Sequence, residues 1–224
     1  MKSFFVKQLI IATLSVAIVS GIVETDTIQI TPPTIDKITA TVEYGKEFDN
    51  KIVKVQLELW DEPKPVVLAT GAWSKGGFTI ELPETVDAKY LEPIAECDFG
   101  IPVTFSNKNT KILSEYIHEG SASVNGYNKD DEFVCAFMLS ISRGDDYPFG
   151  AIYMYADSDV NISGSGKSHF GFDIVYSLTL MKGWNIVYIT DTFINFNFVK
   201  RDYTSSIRNA SGLKWTWFPL SEGE

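Results

Sequence analysis

The sequence predicts an all-β, mostly antiparallel protein with two β-sandwich-like domains, the second with a barrel-like sheet as an alternative. Apolar and polar residues alternate with a period of two in segments such as 38–44 and 53–59, which is typical of half-buried strands. Clusters of glycine, asparagine and aspartate separate most of these segments and favour turns. No amphipathic stretch of helical period is long enough for the crossover helix that a parallel βαβ unit requires.

The first 21 residues predict a secretory signal peptide. Lys2 and Lys7 precede a short apolar run at 9–19, and small residues lead to a cleavage site after Gly21. A membrane-spanning helix needs about 20 apolar residues, so this run is short for one, and an uncleaved N-terminal anchor is the alternative. No later segment is apolar enough to span a bilayer. We therefore expect an exported protein that is periplasmic, cell-surface or secreted.

The charge of the chain argues against two classes of partner. The sequence holds 19 basic and 29 acidic residues, which gives a formal net charge of −10. Residues 1–21 include two lysines and no acid, so the remaining chain has a net charge of −12. Such a surface repels phosphate backbones and anionic lipid headgroups. We expect no nucleic-acid partner and no electrostatic docking on membranes.

Strand and turn signals in the first part predict a small β-sandwich domain over residues 22–97. Apolar-rich segments at 67–73 and 78–82 flank Ser74-Lys75-Gly76-Gly77, whose glycines permit the tight reversal of a hairpin. Two prolines and a glycine interrupt regular pairing around 93–102, which is the predicted domain boundary.

Residues 98–224 form the predicted second domain, which is also antiparallel. Its predicted strands lie near 111–117, 132–142, 149–163, 169–180, 184–190, 193–199 and 213–218. The two domains share no internal repeat.

The stretch NISGSGKS at 161–168 carries the last letters of a phosphate-binding loop. That motif requires a glycine where Asn161 stands, and it requires a helix where 169–176 predicts a strand. We interpret the stretch as a hairpin loop and predict no nucleotide cofactor.

Asp157 and Asp159 imitate the start of a calcium-binding loop. The glycine and the glutamate that a helix–loop–helix site requires are replaced by Ile162 and Ser168, so that site is excluded. A shallow calcium site built on the two aspartates is the remaining alternative. Our expectation is that the protein holds no metal.

No catalytic motif is present in the sequence. The only histidines are His118 and His169, which excludes a multi-histidine metal site within one chain, and no Gly-x-Ser-x-Gly elbow occurs. A hydrolase that uses distant carboxylates, or a cysteine paired with one of the histidines, stays open as an alternative. The expectation is a protein without enzymatic activity.

Cys97 and Cys135 leave two interpretations open. In an oxidising compartment they form a disulfide, which the chain-entropy estimate values at about 3–4 kcal/mol. In the other interpretation they are two separate buried thiols, because Cys135 lies in the apolar segment 133–137, where a thiol packs as a small hydrophobic group.

Aromatic residues supply the candidate binding site. Tyr153 and Tyr155 share the strand parity of Asp157 and Asp159, so the four side chains are predicted to lie on one polar face. The tyrosine rings would stack on a sugar and the carboxylates would accept its hydroxyl hydrogens. Near the end of the sequence, the interpretation of Trp215 as a core residue is favoured over a binding role.

Two resemblances add to these expectations. Residues 68–83, LATGAWSKGGFTIELP, resemble the hairpin of transthyretin-like, carboxypeptidase-regulatory-type sandwiches, in which a polar turn with glycine precedes an aromatic-led strand. Residues 153–157, 180–185 and 211–215 together resemble a group of small exported bacterial β-rich proteins. The second resemblance implies export and a β architecture, and it brings no catalytic residues.

These observations favour an exported, non-enzymatic binding or interaction module of the cell envelope or exterior. Its expected partner is a glycan or an envelope protein. The first alternative is a structural or accessory subunit of a surface assembly, whose edge strands pair with other chains. The second alternative is a hydrolase with an unrecognised site.

Overall fold

The computed structural model describes residues 34–59, 64–114, 122–140, 149–206 and 213–218. These residues form β-strands, two short 3-10 helices and turns, without an α-helix in the described ranges. The prediction of an all-β, mostly antiparallel protein is confirmed. Within the same ranges, no helix has the length and hydropathy needed to cross a membrane. The predicted signal peptide, its cleavage site and His118 lie outside the described residues.

Fifteen strands make up the described sheet. They are β1 (Lys37–Thr41), β2 (Lys54–Leu59), β3 (Val66–Ser74), β4 (Gly77–Glu81), β5 (Glu92–Pro93), β6 (Thr104–Phe105), β7 (Lys111–Ser114), β8 (Ala122–Tyr127), β9 (Phe133–Ser140), β10 (Phe149–Ala156), β11 (Val160–Lys167), β12 (Asp173–Leu180), β13 (Gly183–Ile194), β14 (Asn197–Thr204) and β15 (Lys214–Phe218). The 3-10 helices are Gly45–Phe48 and Ala88–Tyr90.

The strand order is β1-β4-β3-β2-β8-β9-β10-β13-β14-β12-β11-β6, and β15 pairs with β9. One pair of described strands, β12 with β14, is parallel; the other pairs are antiparallel. β9 pairs with β8 along its first half and with β10 through Leu139 and Ser140. It therefore passes from one group of strands to the next, as strands do at the corners of packed sheets.

Two clusters of buried side chains lie on opposite faces of β10. Tyr153 and Tyr155 belong to the first cluster, which the strands β1–β4, β8, β9 and β15 surround. Ile152 and Met154 belong to the second cluster, with residues of β11, β12 and β13. Residues 149–156, FGAIYMYA, have bulky apolar or aromatic side chains at both parities, as a strand buried on both faces requires. β10 thus lies between the two cores and contributes side chains to both.

The two clusters divide the chain differently from the predicted boundary after residue 97. The first cluster draws Val55 and Ile80 from the N-terminal side of that boundary and Cys135 and Trp215 from the other side. The described residues belong to one compact unit. Separate folding of 22–97 and 98–224 stays a prediction.

The hairpin predicted around residue 75 is confirmed. β3 and β4 are joined by Lys75 and Gly76, which have φ angles of 54° and 77°. Two positive φ values in a two-residue turn match the twist of the flanking strands. The Asp49 carboxylate accepts hydrogen bonds from the Gly76 N–H at 2.7 Å and from the Trp73 indole N–H at 3.0 Å. This carboxylate therefore ties the turn to the first 3-10 helix.

The prediction of a hairpin loop at 161–168 is wrong. Most of this stretch is strand β11, which pairs with β12 from Val160 to Lys167. The reversal comes after it, where the Gly171 N–H donates to the Ser168 carbonyl at 3.0 Å.

Close packing explains why this strand is rich in glycine. A Cβ atom on Gly164 would lie 2.7 Å from the carbonyl oxygen of Pro102, and one on Gly166 would lie 3.3 Å from the Ile101 side chain. Because these glycines have no side chain, the neighbouring segment of the chain can pack closely against the strand, as is often seen at glycines in strands. They do not mark a phosphate-binding turn.

The replacement Gly77→Ala tests the closeness of β1 and β4. A Cβ atom at this position would collide with the backbone carbonyl of Ala40, which cannot move without distorting the strand pair. We expect Gly77→Ala to lower the free energy of unfolding by more than about 2 kcal/mol, measured by urea denaturation. Gly150→Ala is the matched control, because its nearest contact is 3.5 Å away. Equal effects of both substitutions would contradict the described strand pairing.

Candidate functional site

Tyr153 and Tyr155 do not lie on a polar face, so that part of the sequence prediction is wrong. They are 8% and 3% exposed. The Tyr153 ring stacks on Trp215 at a centroid distance of 6.1 Å, and the Tyr155 ring meets Trp184 edge-on at 5.5 Å. The expected core position of Trp215 is confirmed. Ligand binding by the two tyrosines stays a prediction, and their burial speaks against it.

Asp157 and Asp159 hold the turn between β10 and β11. Asp157 accepts the Lys111 N–H at 2.9 Å and the Ser158 hydroxyl at 3.1 Å. Asp159 accepts the Lys182 N–H at 2.7 Å. Both carboxylates therefore have structural partners, and the structure does not join them with the tyrosines in one accessible surface. No group of three or more metal-ligating side chains occurs within the described ranges.

Cys97 and Cys135 are free thiols in the structure, so the disulfide interpretation has no support from it. Cys135 belongs to the first cluster, whereas Cys97 packs against the second. Burial raises the pKa of each thiol to about 12, and Glu92 adds to the effect at Cys97. A cysteine nucleophile acts as the thiolate, so these thiols are poorly suited to nucleophilic catalysis.

Glu58 is a buried carboxylate that sequence analysis did not single out. It accepts the Tyr127 hydroxyl at 2.6 Å and the Asn125 amide at 2.9 Å. Burial, with the hydrogen bond to Glu58, raises the pKa of Tyr127 above its usual value. These hydrogen bonds satisfy the buried carboxylate within the sheet.

Among the described residues, a prominent exposed feature is a group of five phenylalanines and one isoleucine, here called the aromatic tip. It consists of Phe170, Phe172, Phe193, Ile194, Phe196 and Phe198. Phe170 and Phe172 lie in the turn between β11 and β12, and the β13–β14 hairpin supplies the other four from the end of β13, the turn and the start of β14. Since β12 and β14 are parallel neighbours, both strands begin at the same end of the sheet, and their preceding turns lie side by side.

The rings of the aromatic tip form a connected row. Phe170 and Phe172 stack with an interplanar angle of 5° and a centroid distance of 6.4 Å. Phe172 lies 4.4 Å from Phe198, and Phe198 lies 5.6 Å from Phe193. Phe170 is 83% exposed and Phe196 is 94% exposed. Contiguous apolar surface of this kind marks interaction sites more often than scattered apolar residues do.

Phe196 is also held in an unfavourable backbone conformation. Asn195 and Phe196 form the two-residue turn between β13 and β14, with φ angles of 50° and 63°. Glycine is the usual second residue of such a turn, because a side chain in the left-handed region costs about 1–2 kcal/mol. An exposed phenylalanine here does not serve folding.

The charges beside the aromatic tip are paired. Arg201 donates two hydrogen bonds to Asp191, at 2.7 and 2.6 Å, and lies over the Phe198 ring at 5.2 Å. The hydrogen bond to Asp191 raises the pKa of Arg201, so the guanidinium stays charged. Lys167 pairs with Asp173 at 2.8 Å. The tip is therefore an apolar surface, and the charged side chains beside it form ion pairs with each other.

A second feature is a cleft of about 630 Å³ between β1 and the strands β10, β13 and β15. Its lining includes Leu139, Tyr153, Ile186 and Trp215. At its edge, the Lys214 ammonium donates to Glu43 at 2.8 Å. This hydrogen bond raises the pKa of Lys214. The cleft thus combines an apolar floor with an ion pair at its edge.

The sequence pattern predicts a strand over residues 193–199, and this prediction does not include the aromatic tip. The missed signal was the density of large apolar residues in 192–198, TFINFNF, together with Asn195-Phe196 at the position of a hairpin turn. A turn that carries phenylalanine in place of glycine is a sequence-level indication of a functional loop.

Comparison with known proteins found no match among protein-family models, curated proteins or solved structures. The resemblances to transthyretin-like sandwiches and to small exported bacterial proteins therefore stay predictions.

Phe196→Gly should stabilise the protein. The substitution relieves the left-handed strain and removes a ring that has almost no packing, which outweighs the greater chain entropy of glycine in the unfolded state. We expect the free energy of unfolding to rise by about 0.5–1 kcal/mol in urea denaturation. Phe198→Gly, the control within the same hairpin, should lower it because Phe198 packs against two rings. A loss of stability in Phe196→Gly would show that Phe196 is a packing residue.

The raised thiol pKa values predict a loss of stability at alkaline pH. Each thiol has a pKa of 9.0 when unperturbed and about 12 in the folded chain. Below pH 9 the thiols are neutral in both the folded and the unfolded chain, and they do not lower the free energy of unfolding. Above pH 9 the free energy of unfolding falls as pH rises towards 12, by at most about 1.4 kcal/mol per pH unit for each thiol.

Urea denaturation at pH 7 and pH 10.5 measures this effect. The double variant Cys97→Ala and Cys135→Ala should lose less stability between the two pH values than the unmodified chain. Tyr127 and Tyr176 also have raised pKa values, but they contribute equally to both proteins and cancel in the difference. Identical losses in both proteins would contradict the prediction.

Proposed function

We propose that the protein is an exported, non-enzymatic interaction module that binds a partner protein through the aromatic tip. The observation that carries this proposal is the connected row of rings from Phe170 to Phe193 beside Phe196, which is 94% exposed on a strained backbone. Strain that persists in a folded chain and does not serve packing is characteristic of functional positions. The signal-peptide pattern of residues 1–21 supports export.

The chemistry of the tip favours a protein over a glycan. Phenylalanine and isoleucine side chains have no hydrogen-bonding groups, whereas a sugar presents many hydroxyls that need partners. The charges of Arg201 and Asp191 beside the tip are paired with each other. Aromatic residues are enriched in protein interfaces, where their large apolar area is buried on binding.

Two observations favour a non-enzymatic role. Both cysteines have pKa values near 12, which keeps them protonated at neutral pH. The buried carboxylate of Glu58 is engaged by Tyr127 and Asn125. Neither arrangement presents an activated nucleophile or general base to an accessible surface.

Site-specific cross-linking tests the proposal. Phe196 is replaced by the photoreactive residue p-benzoylphenylalanine, and the protein is irradiated in the organism that produces it. Asp131 receives the same replacement as a matched control, because its side chain is 77% exposed and it also has a positive φ of 63°. We expect one defined protein adduct, identified by mass spectrometry, from position 196 and not from position 131.

The purified partner then gives an affinity measurement. The double variant Phe170→Ser and Phe196→Asn should lower its affinity at least about a hundredfold, while Asp131→Asn should leave it within about twofold. Equal affinity in both variants, or the same adducts from both positions, would reject the tip as the binding surface. An adduct with a glycan and not with a protein would favour the glycan alternative.

A further inference from the structure

The strands β1 and β15 face each other across an incomplete junction, here called the seam. Within the described ranges, β1 pairs with β4 and β15 pairs with β9. A single parallel bridge, Val42 with Trp215, connects the two strands, and the Glu43 N–H donates to the Trp215 carbonyl at 2.8 Å. On this side of β1 the described strands make a second contact, the antiparallel bridge of Ile35 with Trp184 of β13, and between the two bridges they leave Lys37–Thr41 without a backbone partner.

Hydrogen-bond alternation identifies which backbone groups of β1 face the seam. The Leu82 N–H donates to the Asp36 carbonyl at 2.7 Å, and the Val42 N–H donates to the Gly76 carbonyl at 2.9 Å. Even-numbered residues of this strand thus direct their backbone groups towards β4. Successive residues of an edge strand point their backbone groups in opposite directions.

By this alternation, Lys37, Thr39 and Thr41 direct their N–H and C=O groups into the seam. All three residues are exposed. The Glu43 N–H follows the same parity, since it reaches β15 across the seam. Open donors and acceptors in this two-residue repeat form a template for another strand.

The cleft lies directly beside this open edge. Thr39 and Thr41 line it together with Leu139, Ile186 and Trp215. A strand added to β1 would have its side chains alternate between the cleft and the outer surface. Apolar side chains at every second position would then bury against the cleft floor.

We propose that the seam binds an extended segment of another protein as an added strand on β1, with apolar side chains at alternate positions in the cleft. An extended peptide backbone presents donors and acceptors with the repeat of the edge, which neither a lipid nor a sugar does. Lys214 and Glu43 neutralise each other's charge, so the site does not require the bound segment to be charged. The site shares no residue with the aromatic tip and does not rest on the function proposed for it.

The probe is a synthetic peptide in which valine and threonine alternate, with a lysine at each end for solubility. It is titrated into the isotope-labelled protein, and amide resonances are followed by NMR up to about 1 mM peptide. We expect shifts and slowed hydrogen exchange at the amides of Lys37, Thr39 and Thr41, and a shift of the Trp215 indole. The variant Phe170→Ser with Phe196→Asn should bind the peptide with unchanged affinity, which separates this site from the aromatic tip.

The variant Thr39→Pro removes one N–H group that faces the seam and leaves the groups that face β4. It should lower peptide affinity about tenfold, whereas Thr39→Ala should stay within about twofold. A peptide methylated on alternate backbone nitrogens, the set that pairs with β1, provides a second measurement on the unmodified protein. It should not bind, and it does not depend on how the proline variant folds.

Three results would overturn the proposal. The first is the absence of shifts at these amides over the whole titration. The second is equal binding of the methylated and unmethylated peptides, which would show that backbone pairing is not involved. The third is self-association that protects the same amides without peptide, because the occupant would then be a second copy of this chain.

Discussion

β10 is buried on both faces, and the strands on either side of it pack against its side chains. Tyr153 packs into one cluster and Ile152 into the other, so a single strand fixes the distance between two cores. Close packing on both sides leaves no polar face on this strand. Accessible surfaces for recognition lie elsewhere, at the ends and at the edge of the sheet, where regular pairing stops.

The aromatic tip arises at one such end. The parallel pairing of β12 and β14 brings two turns together, and each turn alone would expose only a few apolar side chains. Together they form a continuous row from Phe170 to Phe193. The bidentate pairing of Arg201 with Asp191 keeps charge at its border without placing a free charge on it. The parallel pairing therefore joins the apolar side chains of two hairpin turns into one surface.

The seam arises at the edge. β1 is a five-residue strand that begins with Lys37, and both short length and an edge lysine limit uncontrolled pairing between copies. The bridges of Val42 with Trp215 and of Ile35 with Trp184 bound the open edge at its two ends. The edge is therefore restricted in length and flanked by a cleft, which distinguishes it from a long, flat, aggregation-prone edge.

Local patterns in the sequence predicted most of the strands, the β3–β4 hairpin and the all-β class, because period-two alternation and turn residues act within a few positions of one another. They did not separate β10 from β11 within 149–163, and they gave no strand at β8. The same alternation predicts a solvent-facing side for Tyr153, because it separates the two faces of a strand without indicating which face another part of the chain covers. Tertiary structure alone decided that both faces of β10 are buried, that Gly164 admits Pro102, and that β1 meets β15. These features depend on contacts between distant parts of the chain, and no local periodicity records them.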